Sequence, residues 1–261
     1  MTLAAAAPHF KKPNIRALFE PDPGYLLVDA DLSGADALVV FAEAGEWSTV
    51  ERVRAGMKLH AETAEAFWGE RYVSASGDTK NKNTQRGRMY ADAKGASHGT
   101  NYYAGGRTIA LNRGWPVAEG DRFKHMWFKL HPGVKQWHEK TELELRETRS
   151  TSNAFGYRIH WFDRIDSLMP EALAWQCQSA VAITTKRARK QIRLRFPFVE
   201  FLVQVHDSLV FQVPKSKVDL LPEIALALEV EIPYRPAPLI IPWKLSTSEK
   251  SWGEAKPWAG S

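Results

Sequence analysis

The sequence predicts an α+β fold, a small antiparallel sheet with flanking helices, on the strength of three patterns. Two β-rich runs, Val199 to Val205 and Leu209 to Val213, are joined by His206-Asp207-Ser208, the pattern of a hairpin with an acid at its tip. A separate run, Tyr25-Leu26-Leu27-Val28-Asp29-Ala30-Asp31, is apolar, of strand length, and also ends in acids. The stretches between them carry helical signals, so helices segregate around a few antiparallel strands.

The elements follow in order. Pro21-Asp22-Pro23-Gly24 is a turn signal that starts the first strand. Ser33 is then placed to cap a helix from Ala35 to about Ala44, and a second helix runs from Leu59 to Trp68, the two ending near Gly45 and Gly69. The stretch from Ser74 to Asn83 is polar and loop-like. From Arg86 to about Tyr103 basic, small and aromatic residues alternate in a way that suits a helix. Gly95 and Gly99 lower its propensity, so a specific need for them is expected. Val117 to Thr148 reads as helices broken at His131-Pro132-Gly133, Phe155 to Phe162 as a short strand pair, and Pro170 to about Ile192 as a helix. Pro238 to Leu245 reads as the last strand.

A chain of 261 residues, 44% hydrophobic, can bury a proper core, and the expectation is one globular unit with an inserted subdomain. Lys and Arg total 35 against 30 for Asp and Glu. With a pI near 9.2, that balance suggests a polyanionic partner without requiring one. Cys177 is the single cysteine, so an internal disulfide and a cysteine metal cluster are both excluded, and a reducing compartment fits. The start, Met1-Thr2-Leu3-Ala4, lacks a basic leader, and the longest apolar stretch, near Ala37 to Ala42, cannot span a bilayer; the expectation is a soluble, cytoplasmic protein. No repeat of solenoid length and no low-complexity tract is visible.

Asp31 and Asp207 stand at the tips of strand segments far apart in the chain. Taken singly, Asp31 also reads as a helix-capping residue and Asp207 as a turn residue. Joined by a tertiary fold, they would make a hard, oxygen-rich site suited to magnesium. Two such ions about 3.5–4 Å apart activate an attacking hydroxyl and stabilise a leaving oxygen in phosphoryl transfer.

The surroundings of these acids resemble, in order, the three polymerase motifs of the family A (DNA polymerase I type) DNA polymerases. Asp31-Leu32-Ser33-Gly34-Ala35-Asp36 is similar to motif A, usually Asp-Tyr-Ser-Gln-x-Glu. Lys94-Gly95-Ala96-Ser97-His98-Gly99-Thr100-Asn101-Tyr102 is similar to motif B, usually Lys-x-x-x-Phe-Gly-x-x-Tyr. Gln204-Val205-His206-Asp207-Ser208-Leu209-Val210-Phe211 is close to motif C, usually Gln-Val-His-Asp-Glu-Leu-Val-Phe, and is the most specific of the three. Weaker matches are Asn14-Ile15-Arg16, His60-Ala61-Glu62-Thr63-Ala64, Gln178 with Lys186-Arg187, and Ser251-Trp252-Gly253-Glu254-Ala255. The resemblance thus runs from about Asn14 to Ala255.

What the resemblance implies is a template-directed DNA polymerase. It adds deoxynucleoside triphosphates to a primer 3′-hydroxyl with two Mg²⁺ ions, and its partners are primer-template DNA and the nucleotides. Asp31, Asp207 and the Leu32 carbonyl would hold the metals. Lys94 would neutralise the triphosphate and protonate the departing pyrophosphate. Lys94, His98 and Tyr102 are four apart, so one helical face would present all three to the nucleotide. His98 would pack on its sugar or base, Tyr102 beside the templating pair, and Asp36 in the position of the sugar-selecting acid. His206 would approach the primer terminus, Gln178 the duplex minor groove, and Arg16 the DNA. The right-hand architecture implied is a palm in residues 1–50 and 151–261 and a helical fingers insertion in 51–150.

The chain departs from the family pattern at several positions. Leu32, Gly34 and Leu38 replace the Tyr, Gln and Arg of motif A, Ser208 removes a possible third carboxylate, and Tyr90 stands where an arginine is expected four residues before Lys94. Arg86 or Arg88 would then have to cover the triphosphate from a shifted position. His98 with Ser208 looks more like phage-borne members. Only about 30 residues precede Asp31, and nothing in the sequence looks like a thumb or an exonuclease domain, so a separate chain supplying one is among the implied partners. Two alternatives stay open. One is half of a split or degenerate polymerase that docks DNA or a partner chain with little activity alone. The other is a single-subunit phage-type RNA polymerase, against which Asp36 speaks.

Overall fold

The computed structural model describes residues 14–259. The reading of the first residues as leaderless, and residues 1–13 of the expected palm, lie outside that range. The strands are β1 (Tyr25–Leu32), β2 (Ser150–Ser152), β3 (Arg158–His160), β4 (Glu200–Val205), β5 (Ser208–Pro214), β6 (Glu231–Ile232), β7 (Leu239–Ile240), β8 (Trp243–Ser248) and β9 (Lys256–Pro257). The helices are α1 (Ala35–Glu43), α2 (Trp47–Arg54), α3 (Leu59–Trp68), α4 (Glu70–Val73), α5 (Gln85–Asn101), α6 (Gly106–Arg113), α7 (Val117–Leu130), α8 (Pro132–Thr148), α9 (Ile165–Arg195) and α10 (Leu221–Ala227). The chain divides into two compact units: one holds 14–33, Thr185–Val230 and 242–259, the other Gly34–Thr184 and Glu231–Ile241.

The first unit is built on a five-stranded sheet in the order β4-β5-β1-β8-β9, antiparallel throughout. Leu27, Val28 and Ala30 of β1 are fully buried. Neighbouring residues of a strand point to opposite faces, so β1 is covered on both, which is why it reads as a continuous apolar run rather than an alternating one. The same holds for β5, buried from Ser208 to Val213. The predicted hairpin is present as β4 and β5, with Val205 paired to Ser208 across its tip. The turn at Pro21 to Gly24 is tied to the sheet by Gln212, whose amide donates to Asp22 Oδ2 at 2.7 Å and accepts from Asp22 N at 2.9 Å.

The second unit is helical, with two small ribbons, β2 with β3 and β6 with β7. Its core is aromatic: Phe41, Phe123 and Trp127 are fully buried. Burying an indole N–H requires a partner, and Trp127 Nε1 donates to Asn101 Oδ1 at 2.9 Å at the end of α5.

Several boundaries differ from those expected. Helix α1 is capped by Gly34 in a left-handed conformation, not by Ser33, and Gly34 makes no side-chain cap bond. The short strand pair expected from Phe155 to Phe162 is one strand there, β3, whose partner is Ser150–Ser152, upstream of that window. Helix α9 begins at Ile165, and Pro170 lies inside it as its sixth residue, where the missing N–H forgoes one i→i−4 backbone bond. The last strand expected, Pro238 to Leu245, is two strands, β7 and β8, and β9 follows. The helix break at His131-Pro132 and the start and end of α3 are where the sequence predicts them. A Cβ on Gly95 would lie 2.4 Å from the Arg113 guanidinium, the far end of a flexible side chain that can move aside, and Gly99 has only ordinary neighbours, so neither glycine meets the specific need expected of it.

Candidate active site

The first unit brings the two predicted acids to one end of its sheet. Asp31 lies opposite Ser208 of β5 and Lys244 of β8. Leu32 N donates to the Asp207 carbonyl at 3.3 Å, which fastens the hairpin tip to the end of β1. The tip is His206-Asp207, and His206 holds a φ of +51°, a conformation uncommon for a residue with a Cβ. Such local strain is kept where the surrounding structure fixes it, and it clusters at functional turns. His206 is exposed and Asp207 half-buried.

Burial pushes the Asp31 carboxyl above its ordinary range, and the neighbouring charges of Asp207 and Asp29 push it further, against Arg16 and Lys244. The site is therefore short of positive charge. A third acid, Asp29, went unremarked in the sequence because it sits mid-strand. Its carboxylate is already engaged: Ser208 Oγ donates to Oδ1 at 2.6 Å and Trp252 Nε1 to Oδ2 at 2.7 Å. Ser208 therefore does more than lack a carboxylate; it satisfies the one on β1. Arg16 stacks over the Trp252 ring, 4.5 Å from its centroid, in a 3₁₀ turn capped by Asn14. The Leu32 side chain is buried, at 2% exposure. Among the described residues no three His, Cys, Asp or Glu side chains converge as a metal cage. The donor set at Asp31 and Asp207 is all oxygen and anionic, which fits a hard divalent cation that takes one or two carboxylates and completes its shell with other oxygens.

The second unit carries the other cluster. Lys94 and His98 are exposed on one face of α5. Tyr102 is the C-cap of that helix rather than its next turn. It is nevertheless drawn to the same place, because its hydroxyl donates to Asp36 Oδ1 and its ring meets that of His98 at 4.9 Å. His98 Nδ1 lies 3.2 Å from Asp36 Oδ2. Burial raises the Asp36 carboxyl, but the bonds from His98 and Tyr102 outweigh it and hold the group below its ordinary range. The bond to Asp36 raises the His98 imidazole in turn, and burial raises the Tyr102 phenol.

Beside them is a groove of 560 Å³ lined by Thr79, Lys80, Lys82, Tyr90, Lys94 and His98. His60 packs edge-on against Tyr90 at 5.8 Å, its pKa lowered to about 4 by burial and by the Lys94 charge. Its Nδ1 is buried with no hydrogen-bond partner among the described residues. Arg88 is not brought to this groove: it donates to Asn83 O at 3.1 Å and lines a separate cavity with Trp68 and Trp115. Arg86 is spent on the Val73 carbonyl. Gln178 is exposed on α9, beside the fully buried Cys177. Of the groove, the sequence pointed to Lys94, His98 and Tyr90, while Lys80 and Lys82 lay in the polar loop with only their charge as a signal.

Residues 8–253 match the sequence model of DNA polymerase family A. The chain belongs to that family. It is 29% identical over 252 residues to the thermostable DNA polymerase I of Thermus filiformis, covering 93% of this chain and 29% of that protein. It is 26% identical over 242 residues to the DNA polymerase of Mycobacterium phage D29, covering 92% of this chain and 37% of that one. The POL domain of Pol1 from M. smegmatis, solved in complex with DNA primer-template and dNTP, shares the fold at a TM-score of 0.75 and 20% identity, over 92% of this chain and 42% of that one. The chain thus spans less than half the length of each of these proteins.

Proposed function

We propose that this chain is the catalytic core of a template-directed DNA polymerase that extends a primer by deoxynucleotides. The observation that carries the reading is the pair Asp31 and Asp207, joined at one sheet end with a charge balance that favours a bound cation. Membership of the polymerase family supports it. In the reaction a primer 3′-oxygen bonds to the α-phosphorus of a deoxynucleoside triphosphate, the α–β phosphoanhydride bond breaks, and pyrophosphate leaves. Asp31, Asp207 and the Leu32 carbonyl would hold two Mg²⁺ ions. When bound, the ions make the hydroxyl a better nucleophile and offset the charge gathered on the phosphate oxygens.

The chain's own groups supply the remainder. Lys94 neutralises the triphosphate and returns a proton to the leaving pyrophosphate. His98 and Tyr102 hold Asp36 as an anion where it crowds a ribose 2′-hydroxyl and so favours deoxynucleotides. His206, Gln178 and Arg16 contact the primer-template. Arg88, turned to the separate cavity beside Trp68 and Trp115, is left out of the nucleotide site. We assign the palm to residues 1–50 and 151–261 and the fingers to 51–150. A partner chain that grips the duplex is compatible with this assignment.

The test is extension of a labelled primer-template in Mg²⁺ at low salt by the wild-type chain and by Asp207→Ala. Extension by the wild type that vanishes in the variant is expected. Equal extension by both would overturn the metal assignment. DNA binding without extension by either would favour a docking module that needs a partner for chemistry.

A further inference from the structure

The groove beside Lys94 holds more positive charge than motif B alone provides. Lys80 and Lys82 line it, and they come from the loop that leads into α5 rather than from the helix. That loop has fixed geometry. Asp78 Oδ1 accepts from Lys80 N at 3.0 Å, and Asn81 Oδ1 from Asn83 N at 3.0 Å. Thr84 Oγ1 donates to Asn81 O at 2.7 Å and accepts from Gly87 N at 3.1 Å. A Cβ on Gly87 would lie 2.0 Å from Asn81 O, so the loop backbone rests directly on the first turn of the helix. The two lysines are thereby held over the face that carries Lys94.

On that same face, four residues before Lys94, stands Tyr90, uncharged and packed against His60. The groove thus has one ammonium on the helix, Lys94, and two on the loop, and no carboxylate lines it. Asp36 is engaged by His98 and Tyr102. Three ammonium groups around one open cavity repel one another unless a polyanion enters, and an ammonium binds phosphate as a point charge.

We propose that Lys80 and Lys82 bind the β- and γ-phosphates of the incoming nucleotide, supplying from the loop the charge that Tyr90 does not supply from the helix. The assignment rests on the polymerase reading and adds the residues that set nucleotide affinity. A phosphate of the DNA backbone has the same chemistry, and the experiment separates the two sources.

The full chain is compared as wild type, Lys80→Ala/Lys82→Ala, the same pair with Tyr90→Arg, and Lys80→Arg/Lys82→Arg. Primer extension is measured over a range of nucleotide concentrations, with circular dichroism to verify folding. The double alanine variant is expected to raise KM for the nucleotide roughly tenfold, as for two charge-assisted contacts in an open groove, with kcat little changed. Tyr90→Arg is expected to recover most of that loss, and the arginine pair to keep the wild-type KM. A purely structural loop would not be rescued from the helix. An unchanged KM, a loss that Tyr90→Arg leaves in place, or a parallel loss of primer-template affinity would each overturn the assignment. Calorimetry with inorganic tripolyphosphate separates the two levels of failure. Binding weakened in the double alanine variant by a chain that extends no primer would sink the polymerase reading and leave the polyphosphate site standing. Extension with an unaltered KM would do the reverse.

Discussion

Asp31 is held at a charge cost, and that cost has a measurable sign. A carboxyl whose pKa is raised in the folded state stabilises the fold only while protonated, and that stabilisation is lost as pH rises through the raised value. At neutral pH without metal, Asp31→Asn should therefore raise the melting temperature by a few degrees while abolishing extension. Added Mg²⁺ should stabilise the wild type and leave the variant unmoved, since a ligand that binds only the native site stabilises it by mass action. A variant less stable than the wild type would show that Asp31 is structural. Asp36 and His98 run the opposite way. Asp36 is depressed, so its contribution is present above the ordinary carboxyl range and lost as pH falls through the lowered value. His98 is raised above 6.5, so its contribution is complete below that value and lost as pH rises through the raised one. The pair is thus strongest in the window between. In an NMR titration the His98 imidazole should titrate above the ordinary histidine value and fall back in Asp36→Asn; an unchanged midpoint would show that the contact is not made in solution. Asp36→Ala, which removes the crowding side chain, should incorporate ribonucleotides more readily in primer extension.

Helix α5 shows how an element is tuned by residues outside the motif it carries. Its start is set by Thr84 and by Gly87, where the loop carbonyl of Asn81 leaves no room for a side chain. Gly87→Ala should therefore cost about 1–3 kcal/mol of stability in chemical denaturation, the usual range for overpacking. It should also raise KM for the nucleotide by moving Lys80 and Lys82. A neutral outcome in both would show that the loop yields freely. Much of this element was readable in advance. Spacing placed Lys94 and His98 together, whereas Gly95 and Gly99 have no backbone neighbour that demands a glycine. Tyr102 was assigned to the same face by counting in fours, yet it reaches Asp36 from the C-cap, because helical periodicity says nothing of the residue that ends the helix. The hairpin was legible because two β-rich runs on either side of a polar tip are a local signal. The strand at Ser150–Ser152 was not, since three residues carry no period and are fixed by pairing with β3.

At the scale of the whole chain, the net charge of +5 is compatible with a polyanionic partner and says nothing about its identity. If primer-template DNA is bound through Lys and Arg contacts to phosphate, counterion release makes the affinity fall steeply with salt. Between about 50 and 200 mM KCl the dissociation constant should rise at least about tenfold by fluorescence anisotropy. A flat dependence would exclude a phosphate-dominated interface. Motif order carried the family, because the acids of motifs A and C meet only in the tertiary fold. What the motifs could not carry was the company those acids keep: Asp29 and Trp252 are 223 positions apart and lie in no shared pattern, yet they are bonded at 2.7 Å.

That bond and the one from Ser208 to the same carboxylate bear on how such a site changes through descent. An acid introduced at position 208 would remove a donor from Asp29 and place a further negative charge beside it, so the exchange is disfavoured unless position 29 gives up its carboxylate as well. Positions 29 and 208 are thus coupled across the β1–β5 pair: Ser208→Glu alone should destabilise the fold, and Asp29→Ala/Ser208→Glu should restore it.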